Sequence, residues 1–153
     1  MTGLPRPRGR YFEEFEIGDG VETAARTITE SDVMLFAGLS GDYNPLHTDA
    51  EFVKGTLFGE RIAHGLLGLS IASGLASRLG FVEGTTEAFT ALEWKFRAPI
   101  RIGDTVRVRA RVRQKKEMPR LGGGFITFDV RLLNQQDETV QKGTWTVLIK
   151  SAP

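Results

Sequence analysis

The chain has 153 residues, 20 of them basic and 19 acidic, and no cysteine. This length suits one domain with a core of its own, and a formal charge of +1 supplies no global field for nucleic acid or an anionic membrane surface. The lack of cysteine excludes disulfides, thiolate metal sites and a cysteine nucleophile, and it fits a reducing compartment.

In chain order, residues 1–10 are basic with no apolar run behind them, which reads as a flexible, solvated tail rather than a signal peptide. Residues 11–153 then form a single domain. Residues 11–19 mix aromatics with acids and turn at Gly18-Asp19, and residues 21–28 look like a short strand. Thr29 is the N-cap candidate of a helix carrying Val33, Met34, Phe36 and Ala37, which ends in a polar turn between Gly38 and Pro45. A brief second helix is expected over residues 49–54, with Gly55 and Gly59 marking the loop beyond it. Over residues 62–78 apolar side chains recur every three or four positions, with Leu66, Leu69, Ala72, Leu75 and Leu79 in one line. That helix is apolar nearly all round and should be buried. It falls short of the roughly 20 apolar residues that span a bilayer, so a soluble, cytoplasmic protein is expected.

The second half changes period. In residues 105–113, Val106, Val108, Ala110 and Val112 alternate with Arg107, Arg109, Arg111 and Arg113, as in a strand with one face buried and one solvated. Leu92, Trp94 and Phe96 alternate before Pro99. So do Ile126, Phe128, Val130 and Leu132 after three glycines, and Trp145, Val147 and Ile149 near the end. A strand, then helices, then four strands at hairpin spacing argue an α+β fold, an antiparallel sheet wrapped on one central helix.

The chain has only two histidines. His47 follows Asp42 by five residues across a turn that Pro45 stiffens, because proline fixes its own φ and keeps Asn44 out of the helical region. By spacing alone Asp42 and Asn44 read as turn formers, with His47 capping the helix that follows. His64 and Gly65 open the long helix, whose first-turn N–H groups lack intrahelical acceptors and suit an oxyanion; a plain helix start with glycine for close packing is the simpler reading. Gly65, Gly68 and Gly74 each lower helix propensity, by up to about 1 kcal/mol, so something is expected to press on that helix.

Together the two segments, Gly41-Asp42-Tyr43-Asn44-Pro45-Leu46-His47 and His64-Gly65, resemble the hydratase signature of the MaoC-like dehydratase family. The resemblance runs from Tyr11-Phe12-Glu13-Glu14-Phe15 to Phe96-Arg97-Ala98-Pro99 and Gly103-Asp104. It implies the hot-dog fold and an (R)-specific enoyl-CoA hydratase, which adds water reversibly across the 2,3 double bond of an acyl thioester. Asp42 and His47 would then be the catalytic pair and the Gly65 amide an oxyanion donor, with Asn44 and Ser73 binding substrate. Ser73, eight residues beyond Gly65, is expected on roughly the same helix face, and a small residue packed under the sheet explains it equally well. No metal and no cofactor are implied, CoA being part of the substrate. The implied partners are an acyl-CoA thioester and a second copy of the chain, with neither nucleic acid nor membrane.

Two rivals stay open at this point. A thioesterase shares the architecture, but such enzymes often carry a carboxylate on the central helix, and residues 65–79 hold none. A non-catalytic acyl-CoA-binding protein is the other. The arginine row is read as a solvated face paired with acids such as Asp129, since its ~7 Å steps along the strand cannot converge on one nucleotide. Arg61, and Lys115, Lys116 and Arg120 on a mobile loop, are the candidates for CoA phosphate.

Overall fold

A computed structural model describes residues 9–153 of the chain. The expected tail falls mostly on residues 1–8, outside that range. At its end, Gly9 and Arg10 donate backbone N–H groups to the carbonyls of Glu83 and Phe81 at 2.9 and 2.8 Å.

Two short strands, β1 (Gly20–Glu22) and β2 (Arg26–Thr27), stand where one was expected. Helices α1 (Glu30–Ser40), α2 (Pro45–Thr48), α3 (Ala50–Val53) and α4 (Gly65–Arg78) follow, and then strands β3 (Thr86–Phe96), β4 (Thr105–Met118), β5 (Gly123–Leu133) and β6 (Thr139–Lys150). The strands pair antiparallel in the order β1-β4-β5-β6-β3, with β2 also on β4. Sheet and α4 form one core in the hot-dog arrangement. Val106, Val108, Ala110 and Val112 of β4 and Ile126, Phe128, Val130 and Leu132 of β5 join Leu67, Ala72, Leu75 and Ala76 of α4.

The period-2 reading holds for β4 and β5 and for the end of β6, where every named apolar residue is buried. It fails in β3. That strand lies at the sheet edge, register shifts interrupt it near Ala88 and Ala91, and Phe89, Leu92 and Phe96 are exposed. The line expected to bury α4 is also corrected. Leu67, Gly68, Ala72, Leu75 and Ala76 are buried, whereas Leu66 is 60% and Leu79 38% exposed. An apolar circumference does not mark which side meets the sheet.

The arginine row is paired largely as expected. Arg107 bonds Glu22 and Asp137, Arg109 bonds Glu22, and Arg113 reaches Asp129 at 3.4 Å. Lys115 and Lys116 do not lie on a mobile loop. Both belong to β4, and the Lys115 ammonium donates to the Phe15 carbonyl and sits 4.8 Å from the centre of the Phe12 ring.

Candidate active site

The segment from α1 to α2 is held by its own side chains. Thr29 caps α1 in a reciprocal box with Asp32. Gly41 ends the helix in a left-handed conformation, φ 78°, which glycine adopts without a Cβ penalty. The chain then turns through Asp42, whose Oδ1 accepts the Asn44 N–H at 3.1 Å, while Asn44 Oδ1 accepts the Leu46 N–H at 3.0 Å and caps α2. Pro45 sits in the first turn of α2, where its missing N–H costs nothing.

This turn delivers His47 inward. The imidazole is buried and its Nδ1 donates to the Ile62 carbonyl at 2.8 Å. A carbonyl oxygen can only accept, so in the neutral ring Nδ1 carries the proton and Nε2 the lone pair. Burial holds the His47 pKa below its ordinary value; the bond to Ile62 and the Asp42 charge oppose that shift, and His64 and Arg61 add to it. The ring therefore stays neutral and basic at neutral pH.

His64 is the neighbour that no spacing argument assigned. Only 2% exposed, it stacks on His47 with ring centres 3.8 Å apart, meets Phe36 on another side, and bonds the Asp42 carbonyl through Nε2 at 2.8 Å. One side chain thus touches both members of the expected pair. The sequence separation of Asp42, His47 and His64 argues against a ligand cluster, yet the fold brings one polar atom of each within 4.8 Å of the other two. The two imidazoles stack with 29° between their planes. His47 Nδ1 and His64 Nε2 are already committed to carbonyls.

A cavity of about 460 Å³ opens on this group, lined by Asp42, His47, His64, Gly65, Phe96 and Gln141 among others. Its size is that of a small-molecule site. Gly65 begins α4, so its N–H has no acceptor within the helix and remains available to an oxygen in the cavity. A Cβ at Gly65 would lie 2.6 Å from the ring of the exposed Phe96, so a larger residue there would have to displace that ring. At Gly68 a Cβ would lie 2.4 Å from Gln141 Nε2, whereas Gly74 has open space around it. The pressure expected on the helix is therefore real at two of the three glycines.

Asp42, His47 and Gly65 come together as the sequence predicts; Asn44 and Ser73 do not join them. Asn44 lies outside the cavity wall, its oxygen spent on capping α2. Ser73 lines a separate cavity of about 620 Å³ with Phe81, Phe89, Phe128 and Trp145, and its hydroxyl donates to the Ser70 carbonyl. Eight residues advance a helix by ~12 Å and rotate it by ~80°, enough to change both face and cavity. Arg61 is likewise engaged, paired with Glu30 at 2.9 Å and donating to the His47 carbonyl at 2.6 Å, so it tethers α2. Gln141 was missed. Stepping back by twos from Trp145 passes Gly143 and reaches Gln141, a polar residue on the core face of β6, and that was the available signal.

Comparison with known proteins agrees with this architecture. A family profile for the MaoC like domain matches residues 13–124. An (R)-specific enoyl-CoA hydratase of Rhodospirillum rubrum is 44% identical over 97 residues, 63% of this chain and 65% of that protein. A 3-hydroxybutyryl-CoA dehydratase of Methylorubrum extorquens is 42% identical over 110 residues, 71% of this chain and 68% of that protein. Of solved structures, a monoamine oxidase regulatory protein from Archaeoglobus superposes with a TM-score of 0.90 at 37% identity, covering 95% of this chain and 97% of that one. The profile match spans well over half of the chain and includes both signature segments, so this protein belongs to the MaoC-like family.

Proposed function

We propose that this protein is an (R)-specific enoyl-CoA hydratase, a hydro-lyase that reversibly adds water to a trans-2-enoyl thioester. The observation that carries the reading is the meeting of Asp42 and neutral His47 in one cavity, beside the unpaired first-turn amide of Gly65. Asp42 and His47 hold one water between them. As its oxygen bonds C3, the pair takes up one proton of that water and returns one to C2, so that H and OH are added overall. The two groups are coupled and act as a unit. The thioester oxygen gains negative charge as C3 is attacked, and the Gly65 N–H donates to it, an interaction of a kind worth about 3 kcal/mol in a transition state. No cofactor is needed beyond the CoA of the substrate.

Loss of the enoyl absorbance of crotonyl-CoA tests this, with the (R) configuration of the product read by a stereospecific dehydrogenase. Release of titratable thiol without hydration would make the protein a thioesterase, and binding without turnover would make it an acyl-CoA-binding protein. The proposal includes a homodimer formed along β3, an edge strand that carries the exposed Phe89, Leu92 and Phe96. It also includes a cytoplasmic setting, in keeping with a cysteine-free chain. Among the described residues no helix is long and apolar enough to cross a membrane.

A further inference from the structure

Gln141 is a polar side chain in an apolar row. It is 2% exposed and shares the inward phase of β6 with Trp145, Val147 and Ile149. Its Nε2 donates to the Gly65 carbonyl at 3.0 Å, and its Oε1 accepts the Trp94 indole N–H at 2.8 Å. The orientation of the amide admits no flip, because the Gly65 carbonyl only accepts and the indole only donates. Gly68 makes room for this chain of bonds, since a Cβ there would lie 2.4 Å from Gln141 Nε2. A Cβ at Gly143 would meet the Glu93 backbone carbonyl first, with the Trp94 ring 2.8 Å away, and one at Gly65 would lie 2.6 Å from Phe96.

These contacts share a logic. Phe96 and Gln141 are direct cross-strand partners on β3 and β6, and both reach the same residue of α4. The Phe96 ring occupies the space that a Cβ at position 65 would take. Glycine is the residue with the widest choice of φ and ψ, a poor basis for a donor that must point at one place in the cavity. The Gly65 carbonyl is then fastened from outside the helix by Gln141, while the His64 carbonyl on its other side accepts the Gly68 N–H at 3.2 Å. Both peptide planes that flank Gly65 are therefore held.

We propose that Gln141, held by Trp94, is the positioning residue of the oxyanion donor: its amide fixes the first turn of α4 so that the Gly65 N–H is aimed before substrate arrives. The role is indirect, through Gly65, and it rests on the hydratase reading only where turnover is measured.

The test uses the full chain with Gln141→Met, which keeps the volume of the side chain and removes both bonds. Backbone hydrogen exchange at residues 65–68, measured without substrate, is expected to accelerate while the sheet amides are unchanged. Bound to an aminocinnamoyl-CoA chromophore, the variant is expected to show a smaller red shift than wild type, since that shift reports polarisation of the thioester carbonyl. With crotonyl-CoA, kcat is expected to fall about tenfold, the equivalent of one lost hydrogen bond, with KM within about twofold. Trp94→Phe removes only the tether on Oε1 and is expected to move each readout the same way by a smaller factor; it decides alone if Gln141→Met does not fold. Wild-type exchange, red shift and kcat in a folded variant would overturn the proposal. A wild-type chain that hydrates no enoyl thioester would sink the hydratase reading and leave the exchange result to judge the clamp.

Discussion

Asp42 and His47 reach the same cavity by opposite routes. Asp42 is exposed on a turn after a left-handed glycine, and His47 is buried in a one-turn helix with Nδ1 tied to a carbonyl. Replacing Asp42 with Asn or His47 with Ala is expected to leave a folded protein whose hydration of crotonyl-CoA falls at least about a hundredfold, the scale of a lost general acid or base. Near-wild-type turnover in either variant would remove that residue from the mechanism. The lowered pKa of His47 has its own consequence. Its folded value lies below the ordinary 6.5 of an exposed imidazole, so between the two the unfolded chain binds the extra proton. The stability tied to this group is present above about pH 6.5 and is lost as pH falls toward the folded value. The same protonation would disable the proposed Asp42–His47 pair, so the acid limb of kcat/KM is expected below pH 6.5; a limb above that would contradict the assignment.

Within α4, the three glycines separate propensity from packing. Gly74→Ala adds a Cβ where nothing lies within 4 Å, and it is expected to stabilise the protein by about 0.5–1 kcal/mol through helix propensity. Gly68→Ala gains the same propensity and drives its Cβ onto Gln141 and the Ile100 side chain, 2.4 and 2.7 Å away. A net loss of about 1–3 kcal/mol is expected there, and urea unfolding of the two variants checks both signs. On β4 the arginines answer to acids of the same sheet, Arg109 to Glu22 and Arg113 to Asp129. Replacing Arg109 and Arg111 with Gln is therefore expected to leave KM for an enoyl-CoA within about twofold at low and moderate salt. A large rise with kcat unchanged would mean that the row binds the nucleotide after all.

At the scale of the molecule, the sheet ends in two unlike edges. One is covered by the short strands β1 and β2, and the other is β3, eleven residues long and bearing large exposed apolar side chains. A long apolar edge is a template for pairing. Leu92, 44% exposed and absent from the wall of the cavity that holds Asp42 and His47, offers a clean probe. Leu92→Glu is expected to shift the mass measured by light scattering from the proposed dimer toward monomer, because it puts a charge on the apolar edge proposed as the interface. A wild-type chain that is monomeric at micromolar concentration and fully active would refute the dimer.

What could be read from the sequence was whatever depends on neighbours along the chain. The alternation of valine with arginine in β4, the Thr29 cap, the stiff Asp-to-His turn and the existence of a long helix after His64 all follow from local sterics and period, and all appear in the structure. Together with the signature, these were enough for the fold and for the meeting of Asp42, His47 and Gly65. The rest depended on contacts between residues far apart in the chain. Which line of α4 is buried, and the exposure of β3, follow from the position of each element in the sheet, on which hydrophobic pattern is silent. Ser73 was misplaced because eight residues of helix rotate it away from Gly65, and the pairing of Arg61 went unseen because its partner, Glu30, stands 31 residues earlier. His64 stacking on His47, and Gln141 reaching Gly65 across 76 residues, exist only once the sheet has closed on the helix. Burial then makes the Gln141 contact obligatory, since an amide without a partner there would bear its full desolvation cost.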